Sequence, residues 1–313
     1  MTQKTRVTLC FITSLFVLNH SISQADPRLK KQSDDFTSRV ILIEPETLQK
    51  TMHEFILIDA RSKAEYQKKH IPDSHSMIWE EWTEETPGVW NWFFGKPSRW
   101  GKITKNATKV VKHLRSIGIN NDSKVVVIGD PKGWGEEGRI GWNLLVWGLK
   151  KVYLLNGGYP AWQQRYPEQT TSVPASVPKE KGSFQWDWHS ERRVEMKEVR
   201  SLIRSEASLF DVRSPEEFAG KRMKGQKRGG HLPGAQLVPL KALYQENGDY
   251  VSKEILAKTV EKNSGKQIAY CVGGVRSALF ALLVEAKLNR LIANYDGSLW
   301  EWSAQTDLPL KRQ

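Results

Sequence analysis

The chain of 313 residues has only two cysteines, Cys10 and Cys271. So small a supply excludes a disulfide framework and any zinc site built on several thiolates. Long apolar runs are missing too, and nothing approaches the roughly 20 residues that a membrane-spanning helix needs. Acidic residues are in deficit, with 35 Asp and Glu against 47 Lys and Arg, for a formal charge of +12. Such a balance favours anionic partners and speeds encounter with them. The Lys and Arg are scattered, however, and no nucleic-acid motif accompanies them, so a solvated surface is expected rather than nucleic-acid binding.

What is present begins with a leader. Lys4 and Arg6 precede "VTLCFITSLFVL", an apolar run of the length of an export h-region, and Ser23 and Ala25 occupy the small positions of a cleavage site. Residues 1–25 are therefore expected to be a signal peptide, and the protein to be exported, periplasmic or secreted, with no membrane contact once the leader is gone. The leader carries two basic residues and no acidic one, so its loss takes +12 to +10. It also leaves Cys271 as a single thiol in a compartment where paired thiols oxidise. A lone cysteine is by default a small buried hydrophobe.

The remainder is long enough for two domains, and it repeats itself. "FILIDARSKAEYQKKHIPDSHSM" (55–77) matches "ASLFDVRSPEEFAGKRMKGQKRGGHLPGAQLVPL" (207–240) once an insertion is allowed in the second copy. Asp59 and Arg61 then correspond to Asp211 and Arg213, and His70 to His231. Further on, "LLNGGYPAW" (154–162) matches "ANYDGSLWEW" (293–302). Short β-rich runs ("FILID", "KVVVIG", "VYLLN"; "LFDVR", "QIAYC", "LIANYD") alternate with helical patterns such as "ATKVVKHLRSIG", which predicts α/β units with mainly parallel sheets. The Pro, Ser and Thr of "QTTSVPASVPKEKGS" (169–183) mark a linker, giving one domain over 37–168 and a second over 184–310.

The second copy contains "QIAYCVGGVRSALFALL" (267–283), a strand, a glycine-bearing loop and a helix. Ligands of an open parallel sheet sit at the carboxyl ends of its strands. The first turn of a helix leaves its N–H groups unpaired, and Gly273 and Gly274 allow close backbone approach. The loop can thus surround the sulfur of Cys271 with amides, an anion nest at a helix start. Arg276 adds a fixed positive charge, and both effects favour thiolate over thiol.

"CVGGVRSA" resembles the active-site loop of rhodanese-type sulfurtransferases, C-x-x-G-x-R-[ST]. "DVRSPEEF…GHLPGA" resembles that family's upstream segment, and "DGSLWEW" and "NGGYPAW" its G-x-x-x-x-W segment. The resemblance implies two tandem rhodanese-like domains, each a five-stranded mainly parallel sheet flanked by helices. It implies Cys271 as the nucleophile, held in a loop of Val272, Gly273, Gly274, Val275, Arg276 and Ser277. The implied chemistry moves a sulfane sulfur from thiosulfate, or a similar small anionic donor, to a thiol, cyanide or protein acceptor through a Cys271 persulfide. Neither cofactor nor metal is required. The first copy reads "VVVIGDPKGWGEEGRIGW", with Gly129 or Asp130 at the cysteine position and Arg139 aligned with Arg276, so that half is expected to be catalytically inert. The C-x4-R spacing is one residue shorter than the C-x5-R of phosphatase-like relatives. A relay module that hands persulfide to a partner without turnover is the alternative.

Other residues carry two readings. Asp211 and Arg213 are expected to pair at a strand end and brace the loop. His231, before a Leu-Pro-Gly turn, is expected to pack. The insert "GKRMKGQKRGGH" places Arg222, Lys227 and Arg228, with Lys221 and Lys224, near the expected mouth of the site, as an exposed basic loop or as an anion guide. Glu217 stands where the family's substrate-binding arginine is expected. Trp79, Trp82, Trp90, Trp92 and Trp100 crowd one segment, either packing a long loop, or walling the cleft or docking a sulfur-accepting protein.

Overall fold

Each half of the sequence folds around a sheet whose strands are all parallel. The computed structural model describes residues 36–84, 101–203, 207–260 and 265–312; the leader expected at 1–25 and Trp90, Trp92 and Trp100 lie outside them. In the first half, β1 (Val40–Ile43), β2 (Ile56–Asp59), β3 (His75–Ser76), β4 (Val125–Ile128) and β5 (Val152–Leu155) form a sheet in the order β1-β5-β4-β2-β3. In the second, β6 (Ser208–Asp211), β7 (Ala235–Leu237), β8 (Gln267–Tyr270) and β9 (Ala293–Asn294) follow the order β7-β6-β8-β9. The register of β2 on β4, ending with Asp59 beside Ile128, is repeated by β6 on β8, ending with Asp211 beside Tyr270. The run Val125–Ile128 is buried throughout, as a β-branched strand covered on both faces should be.

Among the described residues the second sheet has four of the five strands expected. Its counterpart of β1 is reduced to a single parallel bridge between Arg193 and Asn294. The chain there carries Arg192 and Arg193 in place of an apolar run, and both side chains leave to form buried ion pairs, with Glu285 and Asp296.

Helices α1 (Pro45–Thr51), α2 (Lys63–Lys68), α3 (Ala107–Ser116), α4 (Glu136–Trp147) and α5 (Gly158–Arg165) flank the first sheet. Those of the second half are α6 (Met196–Leu202), α7 (Pro215–Ala219), α8 (Lys253–Thr259), α9 (Arg276–Leu288) and α10 (Ser298–Trp302). The duplication extends to fine detail. Ser62 with Glu65 and Ser214 with Glu217 form capping boxes at the starts of α2 and α7. His70 stacks on Tyr66 at 3.8 Å, and His231 on Phe218 at 3.6 Å.

Residues Thr37–Gln313 pack as one compact unit, and the halves meet along α4 and α9. Both helices are buried on nearly every side, α4 including its polar Glu137, Arg139 and Asn143. Leu279, Phe280, Leu282 and Leu283 have no exposed surface, each contributing about 1.5–3 kcal/mol by burial. Gly138 decides how close the two helices come. A Cβ there would sit 2.3 Å from the Leu279 Cα, so only glycine fits. The segment 169–183 lies on the first half: Thr171 bridges His70, and the Gly182 N–H donates to the Arg115 carbonyl at 2.8 Å.

Candidate active site

Strand β8 delivers Cys271 just past its carboxyl end, and α9 begins at Arg276. The intervening loop folds back on the sulfur. Gly274, at φ +77°, takes a left-handed conformation that favours glycine, and its N–H donates to the Cys271 Sγ at 3.2 Å. The Ser277 hydroxyl lies 3.6 Å from Sγ and 2.7 Å from the Asn294 Oδ1, two acceptors for one proton. Burial pushes the Cys271 thiol up, but the Arg276 charge, the amide and hydroxyl of Ser277 and the Gly273 amide outweigh it. The thiol is left below its usual value. The sulfur is buried among apolar neighbours and yet ringed by donors.

The segment "DGSLWEW" supports this loop from below. The Cys271 N–H donates to the Ser298 Oγ at 3.0 Å, and the amides of Leu299 and Trp300 donate to the carbonyls of Cys271 and Val272. The unpaired donors of the α10 start thus satisfy the loop's own acceptors.

Above the sulfur opens a cleft of about 280 Å³, lined by Cys271, Val272, Gly273, Val275 and Arg276 together with Trp79, Glu80, Trp134, Glu136, Met223, Lys224 and Trp300. Trp79 stacks on Trp300, with centroids 6.4 Å apart, whereas Trp82 is buried against Trp147. Of the tryptophan-rich segment, Trp79 therefore walls the cleft and Trp82 packs. In the basic insert, Lys224 reaches the cleft. Arg222, Lys227 and Arg228 are not among its lining residues. Arg228 is spent on the carbonyls of Ser303, Gln305 and Leu308, tying the insert to the end of the chain.

Asp211 and Arg213, both fully buried, pair at 2.6 Å at the end of β6. Asp211 lies beside Tyr270 in register, and the Val212 N–H donates to the Tyr270 carbonyl at 2.9 Å. The pair thereby steadies the residue before Cys271 without touching the sulfur.

Sequence reasoning left the role of Glu217 open. Its carboxylate forks Arg276 at 2.7 and 2.9 Å while capping the Ser214 N–H at 3.0 Å. Burial pushes its carboxyl pKa up, but the hydrogen bonds and charge of Arg276 more than offset this and hold it below the usual carboxylate range. Arg276 also lies over the Trp134 ring, 5.2 Å from its centroid. The capping-box spacing of Ser214 and Glu217 was the one signal that could have placed this carboxylate near the sheet's carboxyl edge.

The first half arranges the same framework differently. Gly129 follows β4 as Cys271 follows β8, but the Glu137 carboxylate fills the space above it, 2.1 Å from where a Cβ on Gly129 would lie. Tyr244 and Tyr250 donate to Glu137 Oε1 at 2.9 and 3.2 Å. Burial, with the Glu136 charge beside it, pushes the Glu137 carboxyl up to about 7. The alignment of Arg139 with Arg276 is corrected by the helix starts. Counting from them, Glu136 stands at the Arg276 position, and Arg139 lies a turn further on, opposite Leu279. The loop from Gly129 is two residues longer, which the motif spacing concealed.

These loops and sheets correspond to known proteins. A model of the rhodanese-like domain matches the sequence twice, over residues 44–165 and 195–305. The chain belongs to the rhodanese family. This rhodanese is 27% identical over 288 residues to a thiosulfate sulfurtransferase of Azotobacter vinelandii, covering 89% of its own length and 99% of the relative. It is 26% identical over 267 residues to the sulfur carrier protein TtuD of Thermus thermophilus, covering 79% and 87% of the two chains. Its fold matches that of SseA from Escherichia coli, a 3-mercaptopyruvate sulfotransferase, with a TM-score of 0.69 at 23% identity, over 83% of this chain and 98% of that one. It also matches an anaerobic ergothioneine biosynthesis enzyme from Chlorobium limicola, with a TM-score of 0.71 at 20% identity, over 87% and 70%. A transferase of the rhodanese type follows from these relatives.

Proposed function

We propose that this rhodanese transfers a sulfane sulfur through a persulfide on Cys271. The observation that carries the reading is the donor ring at the foot of an open cleft, the Gly274 N–H at 3.2 Å and the Ser277 hydroxyl at 3.6 Å from Sγ. In the first step the thiolate attacks the outer sulfur of a thiosulfate-type donor. The donor's S–S bond breaks, and its electron pair leaves with sulfite. The product, Cys–S–S⁻, keeps its charge on the terminal sulfur, where fixed amides and Arg276 stabilise it as an oxyanion hole stabilises an alkoxide. An acceptor thiolate, cyanide or protein thiol then attacks that sulfur and restores the Cys271 thiolate, which makes the kinetics ping-pong.

The first half, with Gly129 where a thiol would stand, has no part in this covalent step. The leader pattern supports export, and cleavage after Ala25 in the secreted protein would test it. Mass spectrometry after thiosulfate treatment tests the chemistry. One sulfur, about 32 Da, should add to Cys271 as the donor ring stabilises a persulfide, and C271A should neither gain it nor release sulfite. Sulfite release by C271A would remove Cys271 from the mechanism. A second reading, relay to a protein partner, is favoured by the likeness to a sulfur carrier protein. It predicts persulfide on Cys271 without catalytic release of sulfite from free thiosulfate.

A further inference from the structure

We infer that Arg139, a residue of the half that has no thiol, is a positioning residue for the Cys271 loop. The inference rests on reading Cys271 as the reactive thiol, and adds to it a dependence on the other half of the chain.

Arg139 differs from the other buried arginines. Arg61, Arg192, Arg193, Arg213 and Arg276 each fork a carboxylate: Asp59, Glu285, Asp296, Asp211 and Glu217. Arg139 is fully buried, and among the described residues its guanidinium donates to backbone carbonyls. Nη1 donates to the Gly274 carbonyl at 3.2 Å and to that of Gly273 at 3.5 Å, and Nη2 donates to the carbonyl of Gly101. Nε has no hydrogen-bond partner among the described residues. A buried cation left without a carboxylate fork is costly. What it gains here is the outer face of the cysteine loop.

Peptide geometry gives that contact a consequence. The Gly273 carbonyl and the Gly274 N–H belong to one planar trans peptide and point in opposite directions. Drawing the carbonyl towards Arg139 therefore aims the N–H at Sγ, where it is found at 3.2 Å. The Gly274 carbonyl is held from a second side by the Asn294 Nδ2 at 3.0 Å, which fixes the next peptide as well. Arg139 reaches the loop because Gly138 lets α4 lie against the backbone of α9. The half without a thiol thus contributes to the anion nest from behind, touching neither sulfur nor substrate.

The test uses the full chain with R139Q and R139K, measuring iodoacetamide alkylation of Cys271 against pH with the melting temperature alongside. R139Q should alkylate about ten-fold more slowly at neutral pH, with the inflection of the rate–pH curve moved upward as thiolate is lost. R139K, which keeps the charge but offers a single donor group, should recover part of that rate. A purely structural role would lower the melting temperature and leave the inflection in place. That result in folded R139Q overturns the inference; should R139Q not fold, an unmoved inflection in R139K overturns it equally. A wild-type Cys271 that takes up no sulfur from thiosulfate would instead sink the reading of the site itself.

Discussion

Glu217 grips Arg276 through two hydrogen bonds of 2.7 and 2.9 Å, so the guanidinium behind the cysteine loop is half of a buried ion pair. In the first half the equivalent positions hold Glu65, the second capping-box glutamate, and Glu136, at the start of α4. Burial raises the Glu136 carboxyl, and the charges of Glu80 and Glu65 add to the rise. One framework thus carries an attractive ion pair beside the thiol and two carboxylates, with no arginine between them, at the matching positions of the first half.

Neutralising Glu217 should make the thiol more acidic. E217Q leaves the Arg276 charge uncompensated, which favours the Cys271 thiolate. Alkylation at mildly acidic pH should accelerate several-fold, and KM for the dianionic thiosulfate should fall. Breaking a buried pair costs about 3–5 kcal/mol, so the melting temperature should fall too. Slower alkylation than wild type at that pH would contradict the assigned role of the pair.

Ser277 offers a finer test. Its hydroxyl faces both Sγ and the Asn294 Oδ1, and S277A removes a donor that favours the ionised sulfur. Alkylation at neutral pH should slow several-fold, with stability reduced by about 1 kcal/mol for the lost hydrogen bond. An unchanged rate–pH curve would mean that the hydroxyl serves Asn294 alone.

Glu137 makes stability depend on pH. Its carboxyl is raised from 4.5 to about 7 by burial and by the Glu136 charge, so the folded chain binds its proton more tightly than the unfolded one. The resulting stabilisation is complete below about 4.5 and is lost as pH rises through about 7. At about 1.4 kcal/mol for each pH unit between those values, the loss is on the order of 3 kcal/mol. E137Q keeps an acceptor for Tyr244 and Tyr250 but does not ionise. Chemical denaturation across this range should show the wild type losing stability relative to E137Q as pH rises; parallel curves would show that the carboxylate is solvated or otherwise paired.

Local patterns in the sequence determined much of this molecule. The duplicated α/β plan, the parallel strands at "FILID" and "QIAYC" and the loop that turns on Gly274 were legible because hydrophobic periodicity and glycine act within a few neighbouring residues. The cysteine's donor ring follows from the same locality, since the loop closes over its own sulfur. Tertiary structure alone decided what surrounds that loop. The Glu217–Arg276 pair spans 59 residues, and the contact of Arg139 with Gly274 spans 135. A carboxylate or guanidinium reads the same in a sequence whether it meets water, a capped helix or a buried partner. The two extra residues after Gly129, and the arginines that replace the expected fifth strand, changed which side chains face one another only once both halves had packed along α4 and α9.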